Sequence, residues 1–212
     1  MGRRAQLLLL GAAVALAAAF AVVATVAGPS GHSDSSPRVS AGATSTSGFD
    51  GAALPAGVSA ADFTLTDRRG RAVSLSDYRG HVVVLAFPYS SCGATCVVIA
   101  QQIRGALDEL ARPAAVLFVS ADPAADTPAR VSRFLSQVSL SGRVVYLSGP
   151  ASKLRAVWRE YRVAPASAGR TAFDRSASVL LIDGLGHERV VFDLEQLTPE
   201  SLAHDIRTLE GG

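Results

Sequence analysis

Hydrophobic positions divide the chain into three regimes. From Leu7 to Gly28 every residue except Thr25 is apolar or glycine, and none is charged. From Pro29 to Gly57 large apolar side chains are few, and Gly, Ser, Ala, Thr and Pro predominate. Beyond Gly57 short apolar runs alternate with amphipathic stretches, as expected where strands and helices take turns.

The third regime predicts its own elements. Phe63 to Thr66 and Ala72 to Leu75 flank Asp67-Arg68-Arg69-Gly70 and read as a hairpin. The apolar run Val82 to Tyr89 reads as the first central strand, and Gly93 to Leu110 as the helix after it. Ala114 to Ser120 is a second buried strand. Asp126-Thr127-Pro128 then offers a cap followed by proline at the first helical position. Val144 to Leu147 predicts a strand and Ser152 to Arg162 an amphipathic helix carrying Trp158. Val179 to Asp183 and Arg189 to Asp193 form a last hairpin around Gly184-Leu185-Gly186-His187, and Leu197-Thr198-Pro199-Glu200 opens a closing helix. This order is that of an α/β, thioredoxin-like sandwich with an N-terminal hairpin.

The first two regimes predict where the domain sits. About 20 apolar residues span a bilayer core, and the run to Gly28 exceeds the roughly 7–15 residues of a signal-peptide apolar region. Arg3 and Arg4 stay inside by the positive-inside rule. Residues 1–28 are therefore read as a membrane anchor, 29–57 as a flexible tether, and 58–212 as an extracytoplasmic domain on the cell membrane. The last part of the tether, Phe49 to Pro55, is a candidate start of the domain. Cleavage after Thr25-Val26-Ala27 is the alternative, and it would release a secreted protein. The chain carries 20 basic and 18 acidic residues. Without Arg3 and Arg4 the balance is 18 to 18, and no basic stripe marks a nucleic-acid partner.

Candidate chemistry rests on the chain's two cysteines, Cys92 and Cys96, placed at the strand-to-helix turn. The positive end of a helix favours thiolate, which attacks disulfides and binds soft metals. Residues four apart within a helix have Cβ atoms about 5–6 Å apart, whereas a disulfide needs about 3.5–4.5 Å. A disulfide here requires Cys92 to lie just outside the helix. Two thiolates also suit Cu(I). A structural staple is the plain alternative, but a loop this short stabilises by only about 2 kcal/mol in the chain-entropy model.

Phe87-x-Tyr89-Ser90-x-Cys92-x-x-x-Cys96, Asp122-Pro123-x-x-Asp126-Thr127-Pro128 and the opening Phe63-x-Leu65-x-Asp67 together resemble the Sco/SenC family, membrane-tethered thioredoxin-fold proteins that handle copper for cytochrome c oxidase. Phe63-x-Leu65-x-Asp67-x-x-Gly70 through Tyr78-Arg79-Gly80 is shared widely among thioredoxin-like proteins. Phe87-Pro88-Tyr89-Ser90-Ser91-Cys92-x-x-x-Cys96 resembles the family's cysteine motif, with Ser90 for its threonine. Asp122-Pro123-Ala124-Ala125-Asp126-Thr127-Pro128 resembles its Asp-Pro-x-x-Asp-Thr-Pro segment. The resemblance implies Cys92 and Cys96 as both catalytic and metal-binding residues, and Cu(I) as cargo. It implies the copper subunit of cytochrome c oxidase, or another exported thiol protein, as partner.

Two positions depart from the family. Val97 replaces the proline after the second cysteine. Asp174-Arg175-Ser176 stands where the family has Asp-His-Ser, so Arg175 takes the slot of the third copper ligand. Arginine stays protonated and has no lone pair to give. Beside the thiols, Arg175 would instead act as a modulator that favours thiolate. None of His32, His81, His187 and His204 is expected to replace the missing ligand. Three functions stay open: a Cu(I) metallochaperone, a thiol–disulfide oxidoreductase without copper, and a redox-inert interaction module.

Overall fold

The computed structural model describes residues 47–211. The expected anchor and most of the tether lie outside the described residues, and among these no helix is long and apolar enough to cross a membrane.

Among the described residues eight strands form one mixed sheet. They are β1 (Ala52–Ala53), β2 (Thr64–Asp67), β3 (Ala72–Ser74), β4 (Val83–Ala86), β5 (Ala115–Val119), β6 (Val145–Ser148), β7 (Val179–Ile182) and β8 (Glu188–Phe192). Their order across the sheet is β1-β8-β7-β4-β5-β6-β2-β3. β4, β5 and β6 run parallel, and the hairpin β7–β8 adds antiparallel to β4. Five α-helices complete the fold: α1 (Ala94–Glu109), α2 (Pro128–Gln137), α3 (Ala151–Glu160), α4 (Arg170–Ser176) and α5 (Pro199–Gly211).

The apolar runs sort by parity. Val84, Ala86, Val116, Phe118, Val179 and Leu181 point into a core shared with α1, α2 and α5. Val83, Leu85, Leu117, Val119, Leu180 and Ile182 point into a second core shared with Leu154, Val157 and Trp158 of α3. Both faces are covered, so these strands read as unbroken apolar runs and not as alternating ones.

Two local features place the rest. Thr127 caps α2, its Oγ1 accepting the Arg130 N–H at 3.4 Å, with Pro128 following, which leaves the Asp126 carboxylate free for other donors. The domain also begins earlier than residue 58. β1 pairs with β8, and the fully buried carboxylate of Asp205 on α5 accepts the N–H groups of Asp50 at 2.8 Å and Gly51 at 3.0 Å. A Cβ on Gly51 would stand 2.5 Å from Cγ1 of Val190, so only glycine allows this approach. The stretch Phe49 to Pro55, the candidate start of the domain, therefore carries the edge strand of the sheet.

Candidate functional site

β4 delivers the chain to the site. Past Ala86 the backbone stays buried through Phe87, Pro88 and Tyr89, then turns, with the Cys92 N–H donating to the Tyr89 carbonyl at 3.2 Å. Gly93 follows at φ 81°, a left-handed conformation that side chains disfavour, and α1 starts at Ala94. Cys92 thus lies before the helix and Cys96 inside its first turn.

The two sulfurs form a disulfide, with Cα atoms 5.8 Å apart. The geometric requirement read from the spacing is met: Cys92 stands outside the regular helix. The Cys96 N–H donates to Cys92 Sγ at 3.1 Å. Cys92 is 2% exposed and Cys96 fully buried, so a partner's sulfur meets Cys92 first.

Helix α4, which the sequence pattern did not reveal, lies against this turn. Phe173 meets Tyr89 edge to face, with ring centroids 4.9 Å apart. Thr95 donates its hydroxyl to Asp174 Oδ1 at 2.7 Å. The Arg170 guanidinium covers Gly93, where a Cβ would stand 3.3 Å from its nearest nitrogen. Burial raises the pKa of the Tyr89 hydroxyl, and the Arg170 charge opposes that rise. Only Phe173 of this two-turn helix is buried, so its apolar signal is a single residue; the break at Gly169 was the one usable cue.

Arg175, expected beside the thiols, is exposed and lines a different opening. That cleft, about 680 Å3, is walled by Leu54, Tyr161, Arg162, Ser178 and Glu188 and includes neither cysteine. The cation at the cysteine turn is Arg170. One helical turn explains the exchange: the residue four before Asp174 shares its face, whereas the residue after it is rotated away by about 100°.

The described histidines sit elsewhere. His187 lies in the β7–β8 connection, its Nδ1 3.7 Å from Asp183 Oδ2. His81 precedes β4. Val83 pairs with Ile182 and Ala86 with Val179, so both histidines occupy the end of the sheet opposite Cys92. His204 Nε2 lies 3.1 Å from the Gly48 carbonyl. His204 also groups with Asp50 and Asp205, but the Asp205 oxygens are already held by backbone N–H groups. His32 lies outside the described residues. Among the described residues the fit for copper as cargo is therefore two sulfurs without an imidazole.

A second motif closes the site from behind. Asp126 Oδ1 accepts the Ser90 N–H at 2.6 Å, and its Oδ2 accepts the hydroxyls of Ser120 and Tyr146. The sequence marked Asp126-Thr127-Pro128 as a helix start and did not reveal this role of Asp126.

Residues 52–210 match the SCO1/SenC family model. The mitochondrial protein SCO2 homolog of Bos taurus is 32% identical over 113 residues, covering 51% of this chain and 42% of that protein. The chain thus spans less than half the length of that relative. The structure of Bradyrhizobium japonicum ScoI with copper bound is 27% identical at a TM-score of 0.54, covering 72% of this chain and 99% of that one. The crystal structure of yeast Sco1 superposes at a TM-score of 0.61 with 20% identity, covering 73% of this chain and 95% of that one, and shows the shared thioredoxin-like fold.

Proposed function

Since the chain belongs to the SCO1/SenC family, we propose that it is a Sco-type protein working outside the cytoplasmic membrane through Cys92 and Cys96. In this reading the reduced pair holds Cu(I) as cargo and hands it to the copper subunit of cytochrome c oxidase, and the oxidised pair exchanges disulfides with exported thiols. Residues 1–28 tether it to the membrane. The observation that carries the proposal is the pair itself: two sulfurs brought together at a helix start behind the end of a central strand.

Each step follows from placement. An incoming thiolate attacks Cys92 Sγ, and Cys96 leaves as a thiolate within the first turn of α1, where the helix dipole favours negative charge. A second thiolate of the partner then attacks the partner's own sulfur in the mixed disulfide, so the partner leaves with a new disulfide and Cys92 leaves as a thiolate. Reduction opens the two sulfurs to one soft cation, and Cys92 and Cys96 would hold copper beside Tyr89, Phe173 and Arg170, which pack around the same turn.

A second reading, a thiol–disulfide oxidoreductase that carries no copper, is favoured by one specific observation. No histidine reaches the cysteines among the described residues, and a guanidinium covers their turn. Anaerobic titration of the reduced full chain with Cu(I) against a competing chelator separates the two. Retention of one Cu(I) per chain, lost in Cys92→Ser and Cys96→Ser, supports the copper reading. Loss of all copper to the chelator, with disulfide exchange intact, supports the second.

A further inference from the structure

We propose that Asp126 is a positioning residue for the cysteine pair, holding the turn that carries Cys92 to the ends of the parallel strands. The inference rests on the reading of Cys92–Cys96 as the reactive site.

Its carboxylate gathers three donors from three elements. Ser90 N–H comes from the chain just past β4, at 2.6 Å. Ser120 Oγ comes from the end of β5 and Tyr146 Oη from β6 at 2.6 Å. Burial, then the neighbouring Asp126 charge, push the Tyr146 hydroxyl well above its ordinary pKa, so it remains a donor. Tyr146 Oη also reaches the Pro88 carbonyl at 3.2 Å, a second tie to the same stretch of chain.

Ser90 is the second residue of the Tyr89–Cys92 turn. Its own hydroxyl is buried and makes no hydrogen bond among the described residues, so its tie to Asp126 runs through the main chain. Charge-assisted bonds of this kind are about twice as strong as neutral ones. Nor is the carboxylate occupied as the cap of α2, because Thr127 does that. What it fixes is the backbone two residues before Cys92.

Such fixing acts on the reduced state. With the disulfide open, the two thiols stay close only if the turn stays in place, and their effective concentration sets how readily they re-form a bond. Oxidation by glutathione disulfide is balanced. The two chain thiols give up two protons and two electrons, their sulfurs join, and two glutathione thiols leave. A looser turn lowers the equilibrium constant of that exchange.

The test is this equilibrium constant in the purified full chain, with urea midpoints recorded beside it. Asp126→Ala is expected to lower it about tenfold, a potential about 30 mV less negative. Asp126→Asn should stay within about twofold of wild type, since its amide oxygen still accepts the Ser90 N–H and its nitrogen can donate to Ser120 Oγ. Asp126→Glu keeps the charge but displaces it by a methylene, and should fall with alanine. Ser120→Ala should lower the urea midpoint and leave the constant unchanged. If Asp126→Ala does not fold, the contrast between asparagine and glutamate carries the test. Equal constants in wild type, alanine and glutamate variants overturn the inference alone, as does a Ser120→Ala shift as large as that of alanine. A wild type with no reversible disulfide overturns the site reading and this inference with it.

Discussion

The backbone N–H of Cys96 points at the sulfur of Cys92 from 3.1 Å, so one cysteine's main chain stabilises the other's side chain. When the disulfide opens, that N–H is placed to receive a thiolate on Cys92. The two residues are therefore not equivalent, although they share one bond.

Trapping experiments should show the difference. Cys96→Ser leaves Cys92, the less deeply buried of the two at 2% exposed, and is expected to accumulate a stable mixed disulfide with glutathione disulfide. Cys92→Ser leaves only the fully buried Cys96, which should react at least about tenfold more slowly, because attack requires access. Mass spectrometry of the quenched reaction reads both. Equal trapping in the two variants would contradict this assignment.

Which parts of this were legible in the sequence follows from how the signals arise. The buried strands announced themselves because β4, β5 and β7 are apolar on both faces. The place of Cys92 outside the helix followed from disulfide geometry alone. What stayed hidden has weak local signal. β1 is two alanines whose pairing depends on Gly51 fitting against Val190 and on a carboxylate contributed by Asp205, more than 150 positions away. Helix α4 buries only Phe173, so no periodicity marked it, and Arg175 was set beside the thiols by the family's histidine slot alone. The role of Asp126 stayed hidden because its donors come from Ser90, Ser120 and Tyr146, which only the fold brings together.

The N-terminal edge gives a stability prediction. Gly51→Ala places a methyl 2.5 Å from Val190 and 2.8 Å from Phe192, and should cost about 1–3 kcal/mol through overpacking. Asp205→Ala strands the N–H groups of Asp50 and Gly51, and should cost about 2 kcal/mol. Urea unfolding of the two single variants and the double variant checks this. A double-variant loss smaller than the sum is expected, because both changes release the same segment.

The hairpin β7–β8 predicts a pH dependence. Burial pushes the Asp183 carboxyl upward, but the N–H groups of His187 and Leu185 and the Arg189 guanidinium outweigh it, and its pKa falls below 3.8. A lowered carboxyl stabilises the fold above its unfolded pKa, and that contribution is lost as pH falls through the folded value. Asp183→Asn should therefore lower stability by about 1 kcal/mol at pH 7 and have little effect near pH 2. Urea midpoints across that range test it; a difference that grows toward acid pH would reverse the sign and refute it.

The last prediction separates two arginines five positions apart. Arg170 lies over the Cys92–Gly93 turn, and Arg175 faces the cleft beside Arg162 and Glu188. A nearby cation favours thiolate, and screening by solvent limits the effect of an exposed one. Arg170→Ala should slow disulfide exchange at neutral pH by about threefold, with the effect shrinking as salt is added. Arg175→Ala should leave the rate unchanged. Replacement by lysine at 170 should restore most of the rate, since the charge returns without the planar fork. Stopped-flow exchange with a small disulfide, at low and high ionic strength, measures all three variants. If Arg175→Ala slowed exchange and Arg170→Ala did not, the cation serving the thiols would be Arg175, and α4 would have to turn by about 140° in the reactive state to present it where Arg170 now stands.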